Sequence, residues 1–339
     1  MVNEVKLPIT DQVPFHAYQV RGFEAAVLLA TDENGEEFFF DTCINCYMRF
    51  PHLGEILFDY TCNYSSWFFG QDVFYIQTTQ IDCREMSPTE LLACVTRYLD
   101  HGIYVAGFFN EKYIPHKKAY QKRDFKHGFF LYGYNRAKQL FYAIGYTDHS
   151  KFELYPITFS DFVQSVLCLG ESVIWLRFRN LDKKLVFDLQ SVYDELGDYL
   201  RSDYTIHGGI GKHQDDFYGL RAHRAFRYYV TQTGQQGDFL DVRFSRFFFE
   251  NKVFMLKRLS FLYQKGYIND YSETYTIVAQ KSKTVHFLFL KYNMTRNPVV
   301  IESIDCLLKE INRMDEEVLS DVYEELAIRI TQEKKEVYL

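Results

Sequence analysis

The stretch that most constrains the fold is residues 123–148, RDFKHGFFLYGYNRAKQLFYAIGYTD. Two runs of strand-forming residues, Gly128 to Tyr134 and Leu140 to Ile144, flank a polar turn at Asn135-Arg136-Ala137-Lys138, which predicts a β-hairpin with His127 at its mouth. A turn centred between Arg136 and Ala137 sets His127 opposite Tyr146. Asp148 shares the parity of Tyr146 and so falls on the same face. Read functionally, His127 and Asp148 form a pair that orients and charges an imidazole for acid/base work. The plainer reading is an exposed strand-end histidine beside an unrelated turn aspartate.

Around the hairpin the pattern mixes helices and strands. Residues 23 to 40 read as a further hairpin turning at Asp32-Glu33-Asn34-Gly35. Phe50, Leu53, Ile56, Leu57 and Tyr60 recur at helical spacing, so a helix is expected to start between Thr42 and Pro51. Ser87-Pro88-Thr89-Glu90 is a capping box with proline at the first helical position, and predicts a helix from Pro88 to Asp100 ended by Gly102. The strand IYVAGFF follows. Thr158 to Asp161 start another helix, closed by Gly170 ahead of a strand over Val173 to Phe178.

Beyond about residue 185 long helical periodicities dominate: Val186 to Leu200, Phe217 to Val230, Val242 to Leu262 and Val299 to Ile330, with a strand or a short helix pair near 274 to 292. The expectation is an α+β domain over 1–185 with a mainly helical annex over 186–339 packed on it.

A net charge of −7 argues against a nucleic-acid partner. No 18-residue apolar run or apolar leader is visible, which points to a cytoplasmic protein off the membrane. The 27 Tyr and 32 Phe are enough aromatic surface to wall a deep cleft, although most must be core. Seven cysteines then read as free thiols in a reducing compartment.

The nucleophile candidates are Cys46, which follows a possible Asn45 cap, and Cys43 as the alternative. A thiol at a helix N-terminus meets free N–H groups and the positive end of the dipole, which favours thiolate. Both could instead be small buried hydrophobes. Cys43-Ile44-Asn45-Cys46 has the C-x-x-C spacing of zinc or redox sites, but no second pair completes it; Cys62 and His52 lack a usual spacing, so no metal is expected. The glycine-rich segment His207 to His213 matches neither phosphate-binding spacing and reads as a loop or lid. Ser65-Ser66-Trp67 reads as loop surface.

The order of cysteine at a helix start, histidine opening a hairpin and then an acid resembles that of papain-like cysteine enzymes. His127 to Asn135, the return strand Leu140 to Ile144 and the later Pro156 to Val166 segment are similar to the C39-peptidase-like N-terminal domain of the butirosin-biosynthesis H acyltransferase family of natural-product clusters. The resemblance covers about residues 1–185. Two departures stand out: Gly145-Tyr146 occupy the place where the family's acid follows the second strand, and no glutamine closely precedes either cysteine, Gln12 and Gln19 being nearest.

What the resemblance implies is acyl transfer. Cys46 would attack a thioester on an acyl or peptidyl carrier protein, with His127 as base and Asp148 holding its tautomer, and an amine would take the acyl group as an amide. Lys117, Lys118, Lys122, Arg123 and Lys126, on the approach to His127, would meet the acidic carrier. The phosphopantetheine would belong to the carrier, leaving this chain without a cofactor. The alternatives are a peptidase or thioesterase on the same residues, and a non-catalytic papain-like binding protein.

Overall fold

The computed structural model describes residues 3–50, 55–61, 75–170, 173–205 and 213–337. Strands in chain order are β1 Glu4–Lys6, β2 Cys46–Arg49, β3 Leu57–Tyr60, β4 Ile76–Asp82, β5 Tyr104–Asn110, β6 Lys126–Asn135, β7 Leu140–Tyr146, β8 Phe152–Thr158, β9 Val173–Arg179 and β10 Asp216–Tyr218. Helices are α1 Gln19–Thr31, α2 Gly35–Thr42, α3 Pro88–Asp100, α4 Phe159–Leu167, α5 Leu189–Arg201, α6 Gly219–Gln235, α7 Val242–Gln264, α8 Ser272–Thr295 and α9 Pro298–Val337. The architecture is α+β, with antiparallel sheet and helical regions, consistent in general terms with a papain-like fold. Among the described residues no helix is long and apolar enough to cross a membrane.

The chain divides into two units, Met1–Gly35 with Asn63–Leu185, and Glu36–Cys62 with Val186–Leu339. The first holds an antiparallel sheet in the order β4-β9-β5-β6-β7-β8, with β1 added to β6. Side chains alternate between its faces. Val105, Phe109, Phe129 and Leu131 pack with Leu91, Val95 and Leu99 of α3 and with Phe162 and Val166 of α4. On the other face Phe130 stacks on Phe23 of α1 and meets Tyr104. The β1–β6 approach is close enough that a Cβ on Gly133 would run into the Val5 backbone.

The central hairpin forms as its pattern predicts, but Asn135 pairs with Leu140, so its turn centres one residue later, and a bulge intervenes at Leu131/Gly133. The Ser87 capping box is also present, with Glu90 N–H donating to Ser87 Oγ (3.3 Å) and Ser87 N–H to Glu90 Oε2 (2.8 Å). Three expectations fail. Residues 23 to 40 run through α1 and α2, joined by a turn at Asp32 to Asn34, where the two arms are helices and not strands; in α1, Ala25-Ala26-Val27-Leu28-Leu29-Ala30 is mostly a run of helix formers without alternation. Residues 274 to 292 lie in one continuous helix, α8. Where a helix was expected after Thr42, β2 and β3 pair antiparallel, Cys46 opposite Tyr60, and Phe58 and Tyr60 alternate inward. Pro51, His52 and Leu53 lie outside the described residues.

The second unit sets a small sheet, β10-β2-β3, among α2 and α5 to α9. Arg258 of α7, 1% exposed, closes the C-terminal end of α2: Nε donates to Phe40 O (2.6 Å), and Nη2 to Phe39 O (3.3 Å) and Cys43 O (2.7 Å). One guanidinium thus satisfies carbonyls a helix end leaves orphaned. This anchors the chain three residues before β2 begins.

Candidate active site

Cys46 opens β2 on its buried face and has no exposure. The Asn45 N–H donates to Glu195 Oε2 (2.9 Å) and the Asn45 side-chain amide to Asp203 O (2.8 Å), so the residue before the thiol is fixed from two sides. β2 pairs with β10, which leads directly into α6. Gly219 makes that corner at φ +51°, against the Tyr199 carbonyl, where any Cβ would collide. One turn later α6 carries His223, also without exposure.

Cys46 Sγ lies 3.5 Å from His223 Nε2. At the opposite ring nitrogen, Tyr199 Oη is 3.0 Å away and Lys252 Nζ 3.4 Å. Asp315 Oδ2 is 4.0 Å from Nδ1, too far for a direct hydrogen bond, but accepts from Tyr199 Oη. Asp315 Oδ1 accepts from Tyr275 Oη and lies 2.9 Å from Lys252 Nζ. Lys252 Nζ also donates to Tyr199 Oη (3.2 Å). The tautomer with its proton on Nδ1 donates to Tyr199 Oη and leaves the Nε2 lone pair facing the Cys46 thiol. Asp315 thereby acts on the imidazole through a tyrosine hydroxyl.

The charges divide accordingly. Burial works to raise the Asp315 pKa, but Lys252, His223 and the two tyrosine hydrogen bonds outweigh it and hold the carboxyl below its usual range. Burial lowers Lys252, with Asp315 opposing. Burial and the Lys252 charge push His223 well below its ordinary value, against Asp315. Burial also pushes the Cys46 thiol up to about 12, with Lys252 opposing. At neutral pH the pair rests as thiol and neutral imidazole, beside one buried ion pair. Cys46, His223 and Asp315 form a Cys/His/Asp constellation, which supports cysteine-dependent chemistry in general.

The other candidate residues lie elsewhere. Cys43 follows the C-terminal end of α2 rather than a helix start, buried, with Thr42 Oγ1 3.9 Å from its sulfur. Cys46 likewise starts a strand, so neither thiol has the helix N-terminus expected for it. His127, in the first unit, takes Phe109 as its cross-strand neighbour, and its hydrogen-bonded carboxylate is Glu111 (2.7 Å). Asp148 Oδ1 lies 3.6 Å from His149 Nε2, and the Asp148 N–H donates to His116 O (2.8 Å). Lys117 is not a docking residue: it is buried, donates to Tyr146 O, lies over the Tyr155 ring at 4.6 Å and is lowered by burial to about 8. Lys118, Lys122, Arg123 and Lys126 are exposed. Among the described residues no group of three or more His, Cys, Asp and Glu is arranged to hold a metal ion. Cys62, Ser65-Ser66-Trp67 and residues 206–212 lie outside the described residues.

His223, Lys252 and Asp315 escaped the sequence reading, although each interrupts an apolar stripe at helical spacing. Leu220, His223, Phe226 and Val230 share one face, as do Phe248, Lys252, Met255 and Leu259, and Ile311, Asp315, Val318 and Val322. A polar residue on such a stripe must find a partner or a task.

Compared with known protein families and with curated proteins, the chain gives no match.

Proposed function

We propose that this protein is a cysteine-dependent acyltransferase that moves an acyl group from a thioester to an amine, with Cys46 as nucleophile and His223 as base. The observation that carries this reading is the 3.5 Å contact from Cys46 Sγ to an imidazole whose far nitrogen is tied through Tyr199 to Asp315. His223 Nε2 takes the thiol proton as sulfur attacks the thioester carbonyl, and returns it to the departing thiol. In the second half the amine attacks the acyl-enzyme, the C–S bond to Cys46 breaks, and the amine's proton passes by way of Nε2 back to sulfur.

The test is to incubate the protein with acyl-pantetheine and follow its intact mass, then add an amine. An acyl adduct on Cys46, absent in Cys46→Ala and converted to amide faster than to free acid, is expected. No adduct at saturating thioester would sink the enzyme reading.

The zero exposure of Cys46 and its thiol pushed up to about 12 favour a second reading, a binding protein whose cluster is a buried polar core. That protein would be stabilised to heat by acyl-pantetheine without ever becoming acylated.

A further inference from the structure

Asn251 of α7 is 2% exposed, and among the described residues neither its Nδ2 nor its Oδ1 has a hydrogen-bond partner. A buried amide with both ends unsatisfied is costly and rare, and a catalytic role is one of the few things that account for it. Its helix neighbours fix where it sits. One turn earlier, Phe247 meets Phe58 and Tyr60 (4.7 and 4.8 Å between ring centroids), and Tyr60 is the cross-strand partner of Cys46. Phe248 meets the His223 ring at 5.2 Å, and the adjacent Lys252 reaches the same ring. Two turns later Arg258 holds the Cys43 carbonyl at 2.7 Å. Residues three, four and seven apart share a helix face. Asn251 therefore lies between contacts that bracket the Cys43–Cys46 segment on one side and His223 on the other.

Resting on the acyltransferase reading above, the geometry points to Asn251 Nδ2 as the donor that binds the oxygen of the acyl group on Cys46. As the Cys46 sulfur bonds to the thioester carbon and its proton moves to His223 Nε2, the carbonyl π pair shifts onto oxygen. The Asn251 N–H is then a neutral donor for that oxyanion inside a buried site. Collapse re-forms the C=O bond and expels the donor's thiolate, which takes the proton from His223. A side chain left unsatisfied in the resting protein is satisfied as the charge develops, which is how binding energy accelerates a step instead of deepening the ground state.

Two reactions of the same sulfur test this. Acylation by acyl-pantetheine creates an oxyanion, and alkylation by iodoacetamide does not. In Asn251→Leu and the isosteric Asn251→Asp, acylation of Cys46 is expected to slow by about 100- to 1,000-fold, with alkylation held within about threefold of wild type. Asn251→Leu is also expected to melt at a higher temperature, since it removes an unsatisfied buried amide. Equal loss of both reactions, or a lower melting temperature with acylation intact, would overturn the assignment and make Asn251 a packing residue. If wild type alkylates but never acylates, the acyltransferase reading itself fails and this assignment with it.

Discussion

Lys252 Nζ lies 2.9 Å from Asp315 Oδ1 with neither side chain exposed, so the second unit carries a full ion pair inside its core. Two tyrosine hydroxyls complete the carboxylate's hydrogen bonds. A buried pair of this kind contributes little beyond an apolar pair of equal volume, yet removing one partner strands a charge. Lys252→Met is expected to cost about 3–5 kcal/mol in urea unfolding, whereas Lys252→Met with Asp315→Leu recovers most of the loss. Additive losses in the double variant would contradict the pairing.

Tyr199→Phe removes the one hydroxyl that joins His223 Nδ1 to Asp315, which is too distant at 4.0 Å to replace it. Loss of tautomer control is expected to slow Cys46 acylation by about 10- to 100-fold, and loss of a buried hydrogen bond to cost about 1–3 kcal/mol. Single-turnover acylation and thermal melting, measured together, separate the two effects.

Gly219→Ala puts a Cβ against the Tyr199 carbonyl at φ +51°. The corner feeds β10 into α6, so strain there is transmitted to both Tyr199 and His223. A destabilisation of about 1–3 kcal/mol is expected by denaturant unfolding. An unchanged midpoint would show that the corner relaxes freely.

Burial raises Glu195 from 4.5 to about 8, against hydrogen bonds from the Asn45 and Ile44 backbones, and raises Asp41 to about 7. In the folded protein each carboxyl keeps its proton at a pH where the unfolded chain has lost it. Their contribution is therefore full below the ordinary carboxylate value and is lost as pH rises to about 7 for Asp41 and 8 for Glu195. His223 works the other way on the acid side, because burial keeps it neutral while the unfolded imidazole protonates below its ordinary 6.5. Stability is expected to decline from pH 6.5 to 8, and the decline to be shallower in Glu195→Gln. Parallel pH profiles for the two proteins would refute the Glu195 contribution.

His127→Ala separates the two histidines. Glu111 is the hydrogen-bonded carboxylate of His127 in the first unit, and His223 is the imidazole at Cys46 in the second. Cys46 acylation in His127→Ala is expected to stay within about threefold of wild type, and in His223→Ala to fall by about 100-fold or more. The reverse ranking would restore His127 as the base.

Local rules on the chain were enough to write the central hairpin, the capped helix after Ser87, the helix after Thr158 and four of the helices beyond residue 185, because turn chemistry, caps and 3.6-residue periodicity are encoded within a few positions. Those rules failed between 23 and 60. Over 23 to 40 the helix propensity of the Ala25 to Ala30 run outweighs the turn signal at Asp32 to Gly35, and after Cys46 a run of aromatics fits either element, so that only pairing β2 with β3 and β10 decides. The sequence by itself also marked Cys46 as a thiol worth following. It could not supply the partner: His223, Lys252 and Asp315 stand 177, 206 and 269 residues further on, counted along the chain. Each is legible as a polar interruption of an apolar stripe, but which stripes face one another is set by helix packing. Tertiary structure alone brings the imidazole to the sulfur, and the low dielectric of that core then fixes both as neutral.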